Sequence, residues 1–349
     1  MASREQDLRA LLECFLMEIP TLLDRARHVE PCLLASLAPA ILVLRIPGSV
    51  FWPYFAGVAL LAIGLPIVLK NEVPEAHGLD KIMPFGRLFF SVPMAVFGAY
   101  HFTATRLVVR VVPSWIPAHR FWVYLVGIAL FAAALSIVVR IQAPLAATLL
   151  GIMLFLFVVL IHIPNVIAHP HDRIAWTAGL RDLAFSSGAF AFAGSQRKES
   201  LKKGAPLFVT LARFFVAVAT LFFGVEHFLH PNFAPGVPLD LLTPTWIPGR
   251  LFMAYLAGAV LVVAGASILV KQKARLAATG VGIMIFLLVL SIYLPILAAN
   301  PSDIDNGLNY FVDTLMFSGA ALLLADALPG ELPTGRKAGK PRGVSELNY

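Results

Sequence analysis

The chain has 349 residues, of which 59% are hydrophobic and 13% charged. Soluble domains carry about 25% charged residues, so this composition excludes an ordinary soluble protein and predicts an integral membrane protein. The net charge of +7 does not indicate a nucleic-acid partner, because the basic residues lie between long apolar runs, as the positive-inside rule predicts. The partner expected from composition is the lipid bilayer.

Residues 1–30 mix apolar and charged positions and predict an amphipathic segment on the membrane surface. Two apolar runs follow, at 31–46 and 50–70, so residues 31–80 predict one or two transmembrane helices. The first run is short and carries Arg45, which leaves open whether it crosses the membrane. Both cysteines, Cys14 and Cys32, come before the repeats described next, which excludes a cysteine-ligated metal there.

The sequence contains an internal repeat: the first copy begins at Arg87 and the second at Arg213. His101 recurs as His227, 126 residues later, and Trp115 recurs as Trp246, 131 residues later, so the second copy has five extra residues in one loop. Residues 46–70 also parallel residues 116–140. They are either a degenerate third copy of the first two helices or a convergent membrane-interface pattern.

Each copy predicts four membrane spans, and an even number gives both copies the same orientation. The fold class expected is an all-α integral membrane protein with two parallel four-helix bundles and one or two N-terminal transmembrane helices. The predicted spans are 87–105, 119–139, 143–163 and 174–194 in the repeat 81–196, and 208–229, 250–270, 276–297 and 307–327 in the repeat 208–328. A basic linker at 197–207 and a disordered basic tail at 329–349 predict cytoplasmic termini.

Few ionisable residues fall inside these spans, and most of them recur in both copies near the side predicted to be outer. The candidates for ligand binding or proton relay are His101 and His227 in the first spans, His162 and Tyr293 in the third, Asp182 and Asp313 in the fourth, and Glu226 beside His227. An ionisable group at mid-depth costs about 2.5 kcal/mol or more, so it normally faces a bundle interior or a wet cavity.

A histidine and an aspartate at equivalent depth predict a hydrogen-bonded pair within each bundle, able to hold a polar headgroup or relay a proton. With Glu226 and Tyr293, the second copy is predicted to have the more complete site. The alternative is structural: Asp182 pairs with adjacent Arg181, although Val312 occupies the equivalent position beside Asp313. Haem and metal sites are disfavoured, because the equivalent histidines lie in different bundles and no ligand pair recurs at i, i+4.

The opening arginine, the Gly-x-x-His-Phe at 98–102 and 224–228 and the Ile-Pro before each second span resemble the DoxX/DoxD-like family of small membrane proteins. The shared Leu-Ala-Ala-Thr-x-x-Gly-Ile-Met of the third span extends this resemblance over residues 80–328. It implies a bacterial or archaeal cytoplasmic-membrane protein associated with quinone-linked oxidoreductases, but supplies no catalytic motif.

The function expected is therefore that of a quinone-interacting membrane subunit, with a membrane or soluble redox protein as partner. Quinone is the expected ligand, and no tightly bound cofactor is expected. Two alternatives stay open: a non-catalytic anchor or assembly subunit, whose histidines only brace the bundles, and a small-molecule carrier. Whether any catalytic activity is intrinsic is also left open, since no hydrolytic motif occurs.

Overall fold

A computed structural model describes residues 46–196 and 207–329. The predictions for residues 1–30, for nearly all of the first apolar run, for most of the basic linker and for most of the tail lie outside the described residues. Backbone contacts divide the chain into two units, Met1–Phe51 and Trp52–Tyr349. The contacts given below are all within the second unit.

Nine long helices make up the described part of the chain. They are α1 (Gly48–Asn71), α2 (Met83–Thr103), α3 (His119–Val139), α4 (Ala143–Phe157), α5 (Arg173–Ser195), α6 (Leu207–Leu229), α7 (Arg250–Leu269), α8 (Ala274–Leu288) and α9 (Asn309–Ala327). Short helical turns occur at Val73–Glu75, Gly78–Ile82 and Thr105–Val111. No β-strand is present among the described residues.

Three spans contain a π-helical turn. Helix α4 continues through the π turn Val158–His162 into Ile163–Ala168, and α8 continues through Val289–Tyr293 into Leu294–Ala299. A third π turn, Ile304–Leu308, leads into α9. The second residue after each of the first two π turns is a proline, Pro164 or Pro295. Proline is tolerated in the first turn of a helical segment, because the backbone N–H that it lacks has no intrahelical partner there.

In the described part of the chain, eight helical segments are long and apolar enough to cross a membrane. The prediction of an all-α membrane protein is confirmed at this level. Helix α5 is not among the eight, because it carries the polar residues of the fourth span, including Arg181 and Asp182. We treat it as a span because it corresponds to α9 in the other repeat.

The two repeats interleave, which differs from the two separate bundles expected. Helix α9 packs on α8 of its own repeat but on α2 of the first repeat, and α5 packs on its own α4 but on α6 of the second. Helices α5 and α9 also pack against each other. Because the two copies present similar faces, a fourth helix buries its apolar surface as well against the other copy's first helix as against its own.

Helix α1 lies against α2, where Gly57 contacts Val96 and Gly64 contacts Leu88. An apolar cavity of about 640 Å³ lies between α1, α2 and α3. At the opposite end of α2 the buried guanidinium of Arg87 pairs with Glu72. The equivalent Arg213 instead donates to the carbonyl oxygens of Ile268 and Leu269, at the end of α7. Arg87 and Arg213, the first residues of the two repeats, therefore each bind the end of a neighbouring helix or the turn that follows it.

Candidate functional site

A network of four polar side chains joins the two repeats where α5 and α9 meet. Arg181 of α5 donates from Nη1 to Asp313 Oδ2 of α9 at 3.0 Å, and from Nε to Asp182 Oδ1 at 3.0 Å. The other oxygen of that carboxylate, Asp182 Oδ2, lies 2.9 Å from Nε2 of His162. We call His162, Arg181, Asp182 and Asp313 the central network.

The central network lies well inside the membrane-spanning region. Asp182 follows the first residue of α5 by about nine residues, which at 1.5 Å per residue is about 14 Å from that end of the helix. A bilayer core is about 30 Å thick, so Asp182 lies inside the core when the first residue of α5 is at the core boundary. The side chains are largely buried, from 8% exposed at Asp313 to 23% at Arg181. Ionisable groups at this depth are costly unless they are paired.

The π turns bring equivalent residues of the two repeats to this region. His162 ends the turn Val158–His162, and Tyr293 ends the turn Val289–Tyr293, 131 residues later. π turns inside α-helices occur frequently at functional sites. The two side chains are used differently, because His162 bonds to Asp182 whereas the hydroxyl of Tyr293 donates to the carbonyl oxygen of Pro235 at 3.0 Å.

The expected His101–Asp182 and His227–Asp313 pairs are not the pairs that form. His227 Nδ1 donates to the carbonyl oxygen of Phe223, and its Nε2 accepts the Gly236 N–H at 2.8 Å. Both ring nitrogens are thus occupied by backbone groups, which requires a neutral imidazole. His101 makes the same bond four residues back, from Nδ1 to the Phe97 carbonyl oxygen at 2.7 Å. Asp313 bonds instead to Arg181 of α5, in the other repeat.

The five extra residues of the second repeat lie in a loop that folds into the protein. We define this inserted loop as Phe233–Thr243, whose ends meet in an antiparallel bridge between Phe233 and Leu242. Residues 234–239 are buried. The backbone of the loop bonds to His227 and Tyr293, as described above, so two of the candidate residues hold it in place.

Arg173, the first residue of α5, fixes the other side of the inserted loop. Its guanidinium donates to the carbonyl oxygens of Pro238 and Leu239, and its Cζ lies 3.9 Å from the centroid of the Phe233 ring. Its Nη1 is also 3.7 Å from Oε2 of buried Glu226. Glu226 therefore acts as the counter-ion of a loop anchor. At the position equivalent to Glu226, Tyr100 donates to Asp305 Oδ1 at 2.6 Å.

Replacement of His227 by Phe is expected to loosen the inserted loop. The variant leaves the buried Gly236 N–H without its acceptor, which costs about 1–3 kcal/mol and corresponds to about 5- to 150-fold faster exchange. Hydrogen–deuterium exchange followed by mass spectrometry of the peptide spanning the loop measures this. The matched control is His101→Phe, since His101 occupies the equivalent position and has no hydrogen bond to the inserted loop in the described part of the chain. Equal exchange in both variants would contradict the assignment.

Repeat comparison selected His162, Asp182 and Asp313, which the structure brings together, and His227, Glu226 and Tyr293, which surround the inserted loop. His101 belongs to neither group. Sequence reasoning missed Arg181 as the partner of Asp313, and it missed Arg173 entirely. The sequence does contain an indication of the role of Arg181. Two aspartates recur at equivalent positions of the fourth spans, and Arg181 is the basic residue adjacent to one of them.

Comparison with known proteins returns no relationship. No family model matches the chain, and neither a curated protein nor a solved structure is found that matches it. The resemblance to the DoxX/DoxD-like family therefore stays a prediction that rests on the repeated motifs. The function has to be argued from the geometry of the site.

Proposed function

We propose that this chain is an integral membrane subunit of a quinone-linked redox system, in which the His162–Asp182 pair binds the quinone headgroup. The observation that carries the proposal is the geometry of His162. Its Nε2 is held by Asp182, while its Nδ1 has no hydrogen-bond partner among the described residues. The side chain is 13% exposed, so the ring is anchored on one side and open on the other.

A histidine held in this way can exchange protons with a bound headgroup. If the Nε2–H donates to the Asp182 carboxylate, Nδ1 is an acceptor that can take a proton from a quinol hydroxyl, and the carboxylate stabilises the imidazolium that forms. The oxygens of a quinone headgroup accept hydrogen bonds and carry protons after reduction. The electrons would pass to or from a membrane or soluble redox partner, in a bacterial or archaeal cytoplasmic membrane with both termini cytoplasmic.

His162→Gln is expected to weaken quinone binding by about 10- to 100-fold. The range follows from losing one hydrogen bond to a charge-coupled group, about 1.5–3 kcal/mol. The measurement is equilibrium binding of a short-chain ubiquinone analogue to the protein reconstituted in phosphatidylcholine vesicles. His101→Gln serves as the control and should bind like wild type, because His101 is outside the central network.

The possible results separate the candidate functions. Equal binding by the His162→Gln and His101→Gln variants would show that the quinone does not use this site. Wild-type protein that binds no quinone, while it copurifies with a redox enzyme, would overturn the proposal in favour of an anchor or assembly subunit.

A second candidate function, a small-molecule carrier, is favoured by one observation. The third spans of both repeats contain π turns at equivalent places, shortly before Pro164 and Pro295. Carriers built from repeats place their sites near the bilayer midplane, where helices of the two halves are discontinuous. Solute uptake into proteoliposomes distinguishes a carrier from a quinone-binding subunit.

A further inference from the structure

The formal charges of the central network do not balance. Arg181 contributes one positive charge, and Asp182 and Asp313 one negative charge each, so the sum is −1 when His162 is neutral. The nearby Arg173–Glu226 pair is balanced by itself. Among the described residues, the other titratable groups near Asp313 are the phenol hydroxyls of Tyr293 and Tyr310, which carry no charge. An uncompensated charge at this depth is strongly disfavoured, so one proton is needed for neutrality.

The two carboxylates differ in how well they are compensated. Asp182 Oδ1 accepts from Arg181 Nε at 3.0 Å and lies 2.9 Å from its Nη2, and Asp182 Oδ2 bonds to His162. Asp313 has a single contact, from Arg181 Nη1 to Oδ2 at 3.0 Å. Its Oδ1 has no hydrogen-bond partner among the described side chains. Asp313 is therefore the less stabilised of the two anions.

The repeats show why this difference exists. The position that supplies His162 to Asp182 holds Tyr293 in the second repeat, and Tyr293 donates to Pro235 of the inserted loop. Asp313 thus lacks the partner that Asp182 has. The inserted loop also packs beside it, since Gly236 lies next to Thr314, the residue after Asp313. At the second-repeat end of the network, Asp313 is therefore a carboxyl group that Arg181 contacts through one oxygen and that no histidine supports.

We propose that Asp313 is a membrane-embedded proton-binding site, protonated at neutral pH, while Asp182 stays ionised between Arg181 and His162. In this state the central network is neutral: one guanidinium, one carboxylate and one carboxylic acid. The network then stores one transferable proton at the junction of the repeats. The inference concerns the same side chains as the proposed function, but it depends on charge balance and hydrogen bonding and requires no quinone.

Infrared spectroscopy of the purified protein in lipid at pH 7 tests this directly. A protonated carboxyl group gives a C=O stretching band separate from that of carboxylates. We expect a band equivalent to one carboxylic acid per chain that is lost in the Asp313→Asn variant. The same band should keep its frequency in the His162→Gln variant, because His162 contacts Asp182 and not Asp313.

Each alternative has its own signature. A wild-type protein without this band has no protonated carboxyl group in the central network, which overturns the proposal. A band that changes frequency in His162→Gln places the proton on Asp182, and so overturns it as well. Should Asp313→Asn fail to fold, Asp182→Asn decides: it leaves Arg181 and Asp313 as a balanced ion pair, so Asp313 should ionise and the band should vanish. Persistence of the band there contradicts the proposal.

Chemical labelling locates the proton independently. Dicyclohexylcarbodiimide reacts with protonated carboxyl groups in apolar surroundings, and mass spectrometry of the digested protein maps the adduct. An adduct on Asp313 without one on Asp182 supports the proposal, and the reverse pattern overturns it. Neither this experiment nor the infrared measurement contains quinone, so the failure of the proton site and the failure of the quinone site give different results.

Discussion

Arg181→Met is expected to yield a protein that no longer holds its two repeats together stably in the membrane. Arg181 contacts both carboxyl groups of the central network. Removing one partner of a buried charged network typically costs about 3–5 kcal/mol, because an uncompensated charge stays behind. The measurement is the thermal unfolding midpoint and the monodisperse yield in mild detergent. Both should fall well below the wild-type values.

Two further variants decide whether charge is the cause. Arg181→Met combined with Asp182→Asn and Asp313→Asn removes the whole charge set, and should recover most of the lost stability. Arg120→Met is the matched surface control, because Arg120 is exposed and has no ion pair in the described structure. An Arg181→Met variant as stable as Arg120→Met would show that the central network does not contribute to stability.

Much of the fold could be predicted from the sequence, because hydropathy indicates the spans and the duplication shows which spans are equivalent. The predicted spans 119–139 and 250–270 agree with α3 and α7 to within one residue. That the aspartates lie within spans also follows from the sequence, since a carboxyl group inside an apolar run predicts a position within the membrane. Three of the central-network residues were therefore found without coordinates.

The partners of those residues could not be predicted. The sequence indicates Arg181 only as a partner of the adjacent Asp182, and Val312 at the equivalent position leaves Asp313 without a predicted cation. That argument assumes that each repeat closes on itself. Interleaving instead places Arg181 of α5 against α9 of the other repeat. Hydrophobic periodicity shows which face of a helix is buried, but it does not show which of two similar helices covers it.

The sequence shows that the two repeats differ in their polar residues, but the role of the residues found only in the second repeat could not be predicted. Glu226 and Tyr293 made the second copy look better equipped for chemistry, whereas both lie against the inserted loop or its anchor. The composition of the inserted loop indicates that it is buried, since Ala234, Val237 and Leu239 are apolar. All three are buried in the structure. An apolar insertion at a membrane surface favours burial, and polar side chains beneath it then serve to satisfy its backbone.

Gly319→Ala is expected to destabilise the protein by about 1–3 kcal/mol or more, as overpacking of a tight contact does. A Cβ at Gly319 of α9 would lie 2.5 Å from Phe90 N, 2.7 Å from Phe89 C and 2.9 Å from Gly86 O, all backbone atoms of α2. Backbone cannot move aside as a side chain can, so the two helices must separate. The thermal unfolding midpoint in mild detergent measures the loss.

Gly280→Ala in α8 is the matched control, because a Cβ there meets no atom within 4 Å. Removing a glycine from a helix interior gains up to about 1 kcal/mol, so this variant should be neutral or slightly more stable. Both variants add the same methyl group to a helix of the second repeat, and only Gly319 faces the first repeat. Since separate four-helix bundles would place no backbone of α2 against Gly319, equal stability of the two variants would contradict the interleaved packing, and with it the contact between Arg181 and Asp313.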